Sequence, residues 1–133
     1  MENDEIIESN KLIAEFMGAT FKDNHAYIPN HAAQCYEKDC LAYYSSWDWL
    51  MPVVDKIEEI SFDNIKSEYV PYTKHPFTID MSYNYAKVKV DNDFKIENLR
   101  EDGINFKIHR GSKINACYEA VVEFIKWYNK LNV

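Results

Sequence analysis

The apolar positions of this chain change period along its length, and the changes mark the elements. From Asp4 to Met17, Ile6, Ile13, Phe16 and Met17 recur at helical spacing while Glu5, Glu8, Lys11 and Glu15 fall on other faces, which predicts an amphipathic helix. Its first turn is acidic, where the helix dipole favours negative charge, and Gly18 supplies a left-handed stop. Residues 20–28 fit a short strand or a bent loop closed by Pro29-Asn30. Residues 30–44 show no period and predict an irregular connection. A second helix is expected from Ser45 or Ser46, because serine caps well, Asp48 stands at capping-box distance from Ser45, and Trp47, Leu50, Met51, Val54 and Ile57 form a stripe. Pro52 removes one backbone hydrogen bond from that helix, so its regular part is expected to begin near Asp48 or Trp49.

Beyond Glu59 the period shortens to two. Ile60, Phe62 and Ile65 suggest a short strand, and residues 69–76, with two prolines, a loop. Phe77, Ile79, Met81, Tyr83 and Tyr85 alternate with Thr78, Asp80, Ser82 and Asn84; then the phase reverses, with Ala86, Val88 and Val90 apolar and Lys87 and Lys89 polar. A one-residue slip sends side chains to the opposite face. The reversal therefore implies a bulge near Ala86 or a strand covered on a different face at each end. A turn at 91–93, a strand over 94–99, a turn at 101–103 and alternation over 104–109 follow. The last helix, capped by Ser112 and reaching about Leu131, has the clearest stripe, in Ile114, Cys117, Tyr118, Val121, Ile125 and Tyr128. Glu119, Glu123, Lys126 and Lys130 are expected to face solvent.

Three amphipathic helices and three to five strands without a βαβ rhythm predict an α+β fold: a small, mostly antiparallel sheet packed with three helices, with an α-β-α sandwich as one arrangement. Residues 1–133 read as a single domain, since the length matches one.

Composition narrows the functional classes. A hydrophobic content of 47% and an aromatic content of 15% exclude disorder. There is no apolar run of roughly 20 residues, the acidic start lacks the basic region of a secretory leader, and three cysteines make a poor disulfide framework. A cytoplasmic protein without a membrane partner is the expectation. The net charge of −7 divides unevenly: residues 1–60 carry twelve acidic against four basic side chains, and residues 86–133 seven against nine. Phosphate contacts dominate nucleic-acid affinity, so the whole-chain charge argues against such a partner while leaving room for a local patch. Long-range steering favours cationic partners.

Candidate chemistry gathers in three places. His25, His31, Cys35 and Cys40 are zinc-ligand types, but H-x5-H-x3-C-x4-C lacks paired short knuckles. A thiol nucleophile with a histidine base would draw on the same residues, and buried thiols with surface histidines explain them equally. No metal or other cofactor is expected. His109-Arg110-Gly111-Ser112-Lys113 precedes a helix start, where backbone N–H groups and two cations could hold an anion; a capped helix start accounts for the same run. Tyr43-Tyr44-Ser45-Ser46-Trp47-Asp48-Trp49 forms an aromatic helix entrance, suited to binding or to core packing. Tyr44, Trp47, Trp49, Arg110 and Lys113 are the candidate ligand-binding residues, provided the two helix starts converge. Carboxylate pairs such as Asp55/Glu58 read as solvated charge, and the three glycines form no phosphate loop.

The run S-W-D-W-L-M-P-V-V within Ser46–Glu58 resembles a motif of small uncharacterised phage and Bacteroidetes-type proteins. Residues 10–18 and 120–129 share the pattern, and the helix order is similar to the phage ABA sandwich domain, in which helices flank a small sheet. The resemblance covers the three helices, under half of the chain. It implies a phage-related setting in the host cytoplasm and carries no catalytic residues. The expected function is a non-enzymatic binding or interaction domain of phage or prophage type with a protein partner, a homodimer being compatible. Two alternatives stay open: a protein that sequesters or senses a small anionic ligand such as a nucleotide, and a small metal- or Cys-dependent hydrolase using the His25–Cys40 region.

Overall fold

The computed structural model describes residues 3–22, 25–29, 35–37, 41–60, 67–68, 75–90, 95–96 and 106–131, with the backbone alone at 35–37, 67–68, 95–96 and 131. In chain order the elements are α1 (Asn3–Phe16), β1 (Thr20–Lys22), β2 (His25–Tyr27), β3 (Cys35–Glu37), α2 (Trp47–Glu59), β4 (Ser67–Glu68), β5 (Phe77–Ser82), β6 (Tyr85–Val90), β7 (Lys95–Ile96), β8 (His109–Arg110) and α3 (Lys113–Leu131). The strands form three small antiparallel sheets, ordered β1-β2-β3, β4-β7 and β5-β6-β8. The fold is α+β. Among the described residues no helix is long and apolar enough to cross a membrane. The strand signals at Phe62 and Ile65 and the turn at 101–103 lie outside the described residues. Within the stretch expected to be irregular, residues 35–37 pair with β2.

Helix α1 ends as the sequence predicts. Gly18 takes φ +89, and the Gly18 N–H donates to Glu15 O (3.0 Å) while the Ala19 N–H donates to Ala14 O (2.9 Å). These two bonds satisfy carbonyls that an abrupt stop would leave orphaned. The last turn of α1 holds no basic residue, and α2 supplies one: Lys56 donates to Phe16 O and places its ammonium 4.8 Å from the Phe16 ring centre. Partial burial lowers the pKa of Lys56.

Helix α2 begins at Trp47, earlier than Pro52 suggests. Ser46 is extended (φ −135, ψ 124) and its carbonyl accepts from Leu50 N at 3.0 Å, although its hydroxyl makes no capping bond. The helix carries Pro52 inside it and buries Leu50, Val53, Val54 and Ile57. Val53 takes the place expected of Met51, which is exposed.

The phase reversal near Ala86 is neither a bulge nor a change of covered face. Strands β5 and β6 are a hairpin turning at Tyr83-Asn84, with Ser82 opposite Tyr85 and Phe77 opposite Val90. The partners' numbers add to an odd total, so odd residues of β5 share a face with even residues of β6. Phe77, Ile79, Ala86 and Val88 are accordingly buried together. On β5, the N–H groups of these inward residues point away from β6, and α2 covers that edge: Glu58 accepts from the Ile79 N–H at 2.9 Å.

Helix α3 is buried nearly all round, including Ala116, Cys117, Tyr118, Ala120, Val121, Val122, Phe124 and Ile125. It packs on β5, β6 and β8 on one side and on α1 on another. Helix α3 thus contacts both α1 and the β5-β6-β8 sheet, whose opposite face carries Thr78, Asp80, Tyr85, Lys87 and Lys89. Rings of Phe77, Phe106, Phe124 and Trp127 meet edge-on or tilted at 4.9–5.8 Å. Two polar residues of α1, Ser9 and Asn10, are also buried. Asn10 Nδ2 donates to Leu41 O (2.9 Å), and Tyr118 O–H donates to Asn10 Oδ1 (2.9 Å) with Ile6 O at 3.2 Å as a second acceptor. This network joins α1, α3 and the segment before α2.

Candidate binding surface

The outward face of the β5-β6-β8 sheet follows from the hairpin register. Thr78 stands opposite Lys89, Asp80 opposite Lys87, and Ser82 opposite Tyr85, which in turn stands opposite Arg110 of β8. One face therefore carries Tyr85, Lys87, Lys89 and Arg110, with Asp80 as its one acid among the described residues. Asp80 Oδ2 lies 3.5 Å from Lys89 Nζ and accepts from Tyr85 O–H at 3.5 Å. At the end of this face the turn residue Tyr83 is 80% exposed, and Ile108, just before β8, is 52% exposed. Three cations against one carboxylate oppose the sign of the whole chain, −7.

Strand β8 is held from behind by α3. His109 shares the inward face with Ala86; its Nε2 lies 2.9 Å from Glu123 Oε1 and its Nδ1 3.5 Å from Glu119 Oε2. The Lys107 N–H also donates to both Glu123 oxygens at 3.2 Å. Glu119 and Glu123 were expected to face solvent; they instead fasten the segment that presents Arg110. Gly111 (φ +140) turns the chain from β8 into α3, its N–H donating to Asn84 O at 3.1 Å. Ser112 Oγ then accepts from Asn115 N at 3.4 Å, so a capped helix start explains this run. Arg110 and Lys113, both exposed, flank it.

The aromatic helix entrance packs inward. Tyr44 meets Tyr118 edge-on at 5.0 Å, and Tyr43 meets Trp49 at 5.1 Å. Trp47 and Trp49 are partly buried against the core. Tyr118 has its pKa raised, chiefly by burial, and Tyr44 adds to the effect. Cys117 beside it is pushed up to about 12, first by burial and then by the Glu58 carboxylate.

In the His25–Cys40 region, His31 and Cys40 lie outside the described residues, and Cys35 stands opposite Tyr27 while His25 stands opposite Glu37. Among the described residues no group of three or more His, Cys, Asp or Glu side chains is arranged to hold a metal ion.

Hollows among the described residues lie elsewhere. A groove of about 630 Å³ between the start of α1 and the end of α3 is lined by Asp4, Glu5, Glu8, Ser9, Leu12 and Lys126. A smaller one of about 270 Å³ is lined by Phe16, Lys56, Glu59, Ile60 and Tyr128. None of Tyr44, Trp47, Trp49, Arg110 and Lys113 lines either.

Of the residues on this face the sequence singled out Arg110, and not Tyr85, Lys87 or Lys89. The signal was the parity switch itself: read as a two-residue turn, it puts Tyr85, Lys87 and Lys89 in one row. The chain matches no family model, and no curated protein and no solved structure is similar to it.

Proposed function

We propose that this protein is a non-enzymatic binding domain that takes an anionic partner on the outward face of the β5-β6-β8 sheet. The observation that carries the reading is the clustering of Lys87, Lys89 and Arg110 on one face of a chain with net charge −7. A surplus of cations held against the overall sign gives local attraction to an anion and repels a second copy of the same face. Of the ligand-binding residues expected from sequence, Arg110 and Lys113 stay in this reading, beside the β8–α3 junction. Tyr44, Trp47 and Trp49 leave it for core packing. The phage-related setting rests on the S-W-D-W-L-M-P-V-V resemblance alone.

The test is titration with inorganic polyphosphate, followed by calorimetry. Saturable binding that the combined variant K87Q/K89Q/R110Q abolishes supports the reading. Equal binding by the variant, or none by the native chain, overturns it.

A protein partner is the second reading, favoured by the acidic groove between α1 and α3, which Asp4, Glu5 and Glu8 line together with Leu12. There, with three carboxylates against Lys126, a Lys- or Arg-bearing segment would fit by charge. An oligolysine peptide displaced by E5Q/E8Q would support this use of the groove, and indifference of binding to those substitutions would remove it.

A further inference from the structure

We propose that the partner of the sheet face is single-stranded nucleic acid, with Tyr83 and Tyr85 as stacking platforms and Lys87, Lys89 and Arg110 as phosphate contacts. This rests on the anionic-partner reading above and sharpens it. Polyanions in general need only the cations. The face also offers the half-buried Tyr85, and Tyr83 at the adjoining hairpin tip is 80% exposed; an exposed ring gains most from a flat apolar partner. Among anionic polymers, a nucleic-acid strand supplies both a phosphate row and free base faces. A duplex keeps its base faces stacked inside, so it can offer these tyrosines only its ends.

The dimensions agree. Along β6, Tyr85, Lys87 and Lys89 follow each other at about 7 Å steps, since alternate residues of a strand share a face. Arg110 stands across the strand from Tyr85, about 5 Å away in the pairing direction. The result is one aromatic position with a cation at its side and two more cations along the strand, over a row about 14 Å long. That length holds about two to four nucleotides, a short single-strand site.

Asp80 tunes the surface. Its carboxylate sits opposite Lys87, pairs with Lys89 and accepts from the Tyr85 hydroxyl. It orders both side chains and, by its charge, opposes phosphate. Removing that charge while keeping the shape should strengthen binding, an effect that a merely misfolded variant cannot imitate.

The experiment is fluorescence anisotropy of the full chain with labelled oligodeoxythymidine and oligouridine of about a dozen residues, with the matching duplex, polyphosphate and polyglutamate as further probes. Both single strands should bind saturably and more tightly than the duplex; a large preference between them would tell whether DNA or RNA is the source. With three cations engaged, log K should fall against log salt with a slope of about −2, and Lys89→Gln should lessen it by about 0.7. Tyr83→Ala should weaken strand binding about tenfold and leave polyphosphate binding unchanged, and Tyr83→Phe should restore it. Asp80→Asn should tighten strand binding several-fold. If polyphosphate binds but the strands bind no better than polyglutamate and ignore Tyr83→Ala, the nucleic-acid assignment is overturned while the anionic face stands. If no polyanion binds, both fall.

Discussion

The buried Asn10–Tyr118 pair gives the sharpest prediction about what holds α1 on α3. Both side chains are within the core, and each bond between them and their backbone partners is 2.9 Å long, apart from the 3.2 Å alternative at Ile6 O. Tyr118→Phe deletes one hydroxyl and leaves the ring in place against Tyr44. The Asn10 Oδ1 then loses its donor without gaining water, which costs about 1–3 kcal/mol. Asn10→Ala strands Leu41 O and leaves a small void, while Tyr118 keeps Ile6 O as acceptor. The cost is therefore about 2–4 kcal/mol, most of it from the stranded carbonyl and the cavity. In the double variant the penalty of an orphaned Oδ1 disappears, so the two losses should fall short of additivity by about 1 kcal/mol. Urea unfolding followed by circular dichroism reads all three midpoints. Additive losses, or a Tyr118→Phe midpoint equal to the native one, would refute the idea that this pair acts as one unit.

Other consequences are equally open to measurement. Burial pushes the Cys117 thiol from 9 to about 12, so between these values the unfolded chain releases a proton the folded chain keeps. Stability from this source is whole below about pH 9 and declines as pH rises toward 12; Tyr118 acts in the same direction. Urea midpoints should fall over that window, less steeply in Cys117→Ala, and a flat profile would sink the account. Pro52 lies inside α2 with an exposed side chain, so Pro52→Ala should raise stability by about 1–3 kcal/mol, and a loss would mean the ring itself packs. Gly18→Ala should cost about 1 kcal/mol because φ is +89; the nearest side-chain atom to a new Cβ is 3.6 Å away, so crowding is not the cause. Glu123→Ala releases both Lys107 and His109, and amide exchange should speed up at 107–110 with α3 protected; unchanged exchange there would contradict the fastening role.

What the sequence made legible was whatever repeats locally. Helices α1 and α3 follow from spacing, an acidic first turn, Gly18 and Ser112, all within a few residues of the effects they cause. The hairpin was hidden because Tyr83 and Tyr85 look apolar, so the alternation seems to run through the turn. Only the register, a long-range fact, shows Tyr85 on the outward face with Lys87 and Lys89. Glu119 and Glu123 obeyed the rule that charge avoids the core, yet both face His109, and nothing in their own helix signals that partner. The aromatic entrance is the converse case. Tyr44 is a surface-capable residue, and what decides its use is Tyr118, which lies 74 positions after it in the chain. Sequence thus pointed to Arg110 at one edge of the candidate face, and the register set Tyr85, Lys87 and Lys89 beside it.

The central claim is that the outward face of the β5-β6-β8 sheet is where this protein meets an anionic partner. Amide chemical shifts of the labelled full chain, followed while oligodeoxythymidine is added, test it most directly. Shifts should concentrate at residues 83–89 and 108–113, move little in the α1–α3 groove around Glu5 and Glu8, and vanish in K87Q/K89Q/R110Q. Shifts centred on that groove or on the helix entrance at Tyr44 and Trp47, or none at all, would contradict it.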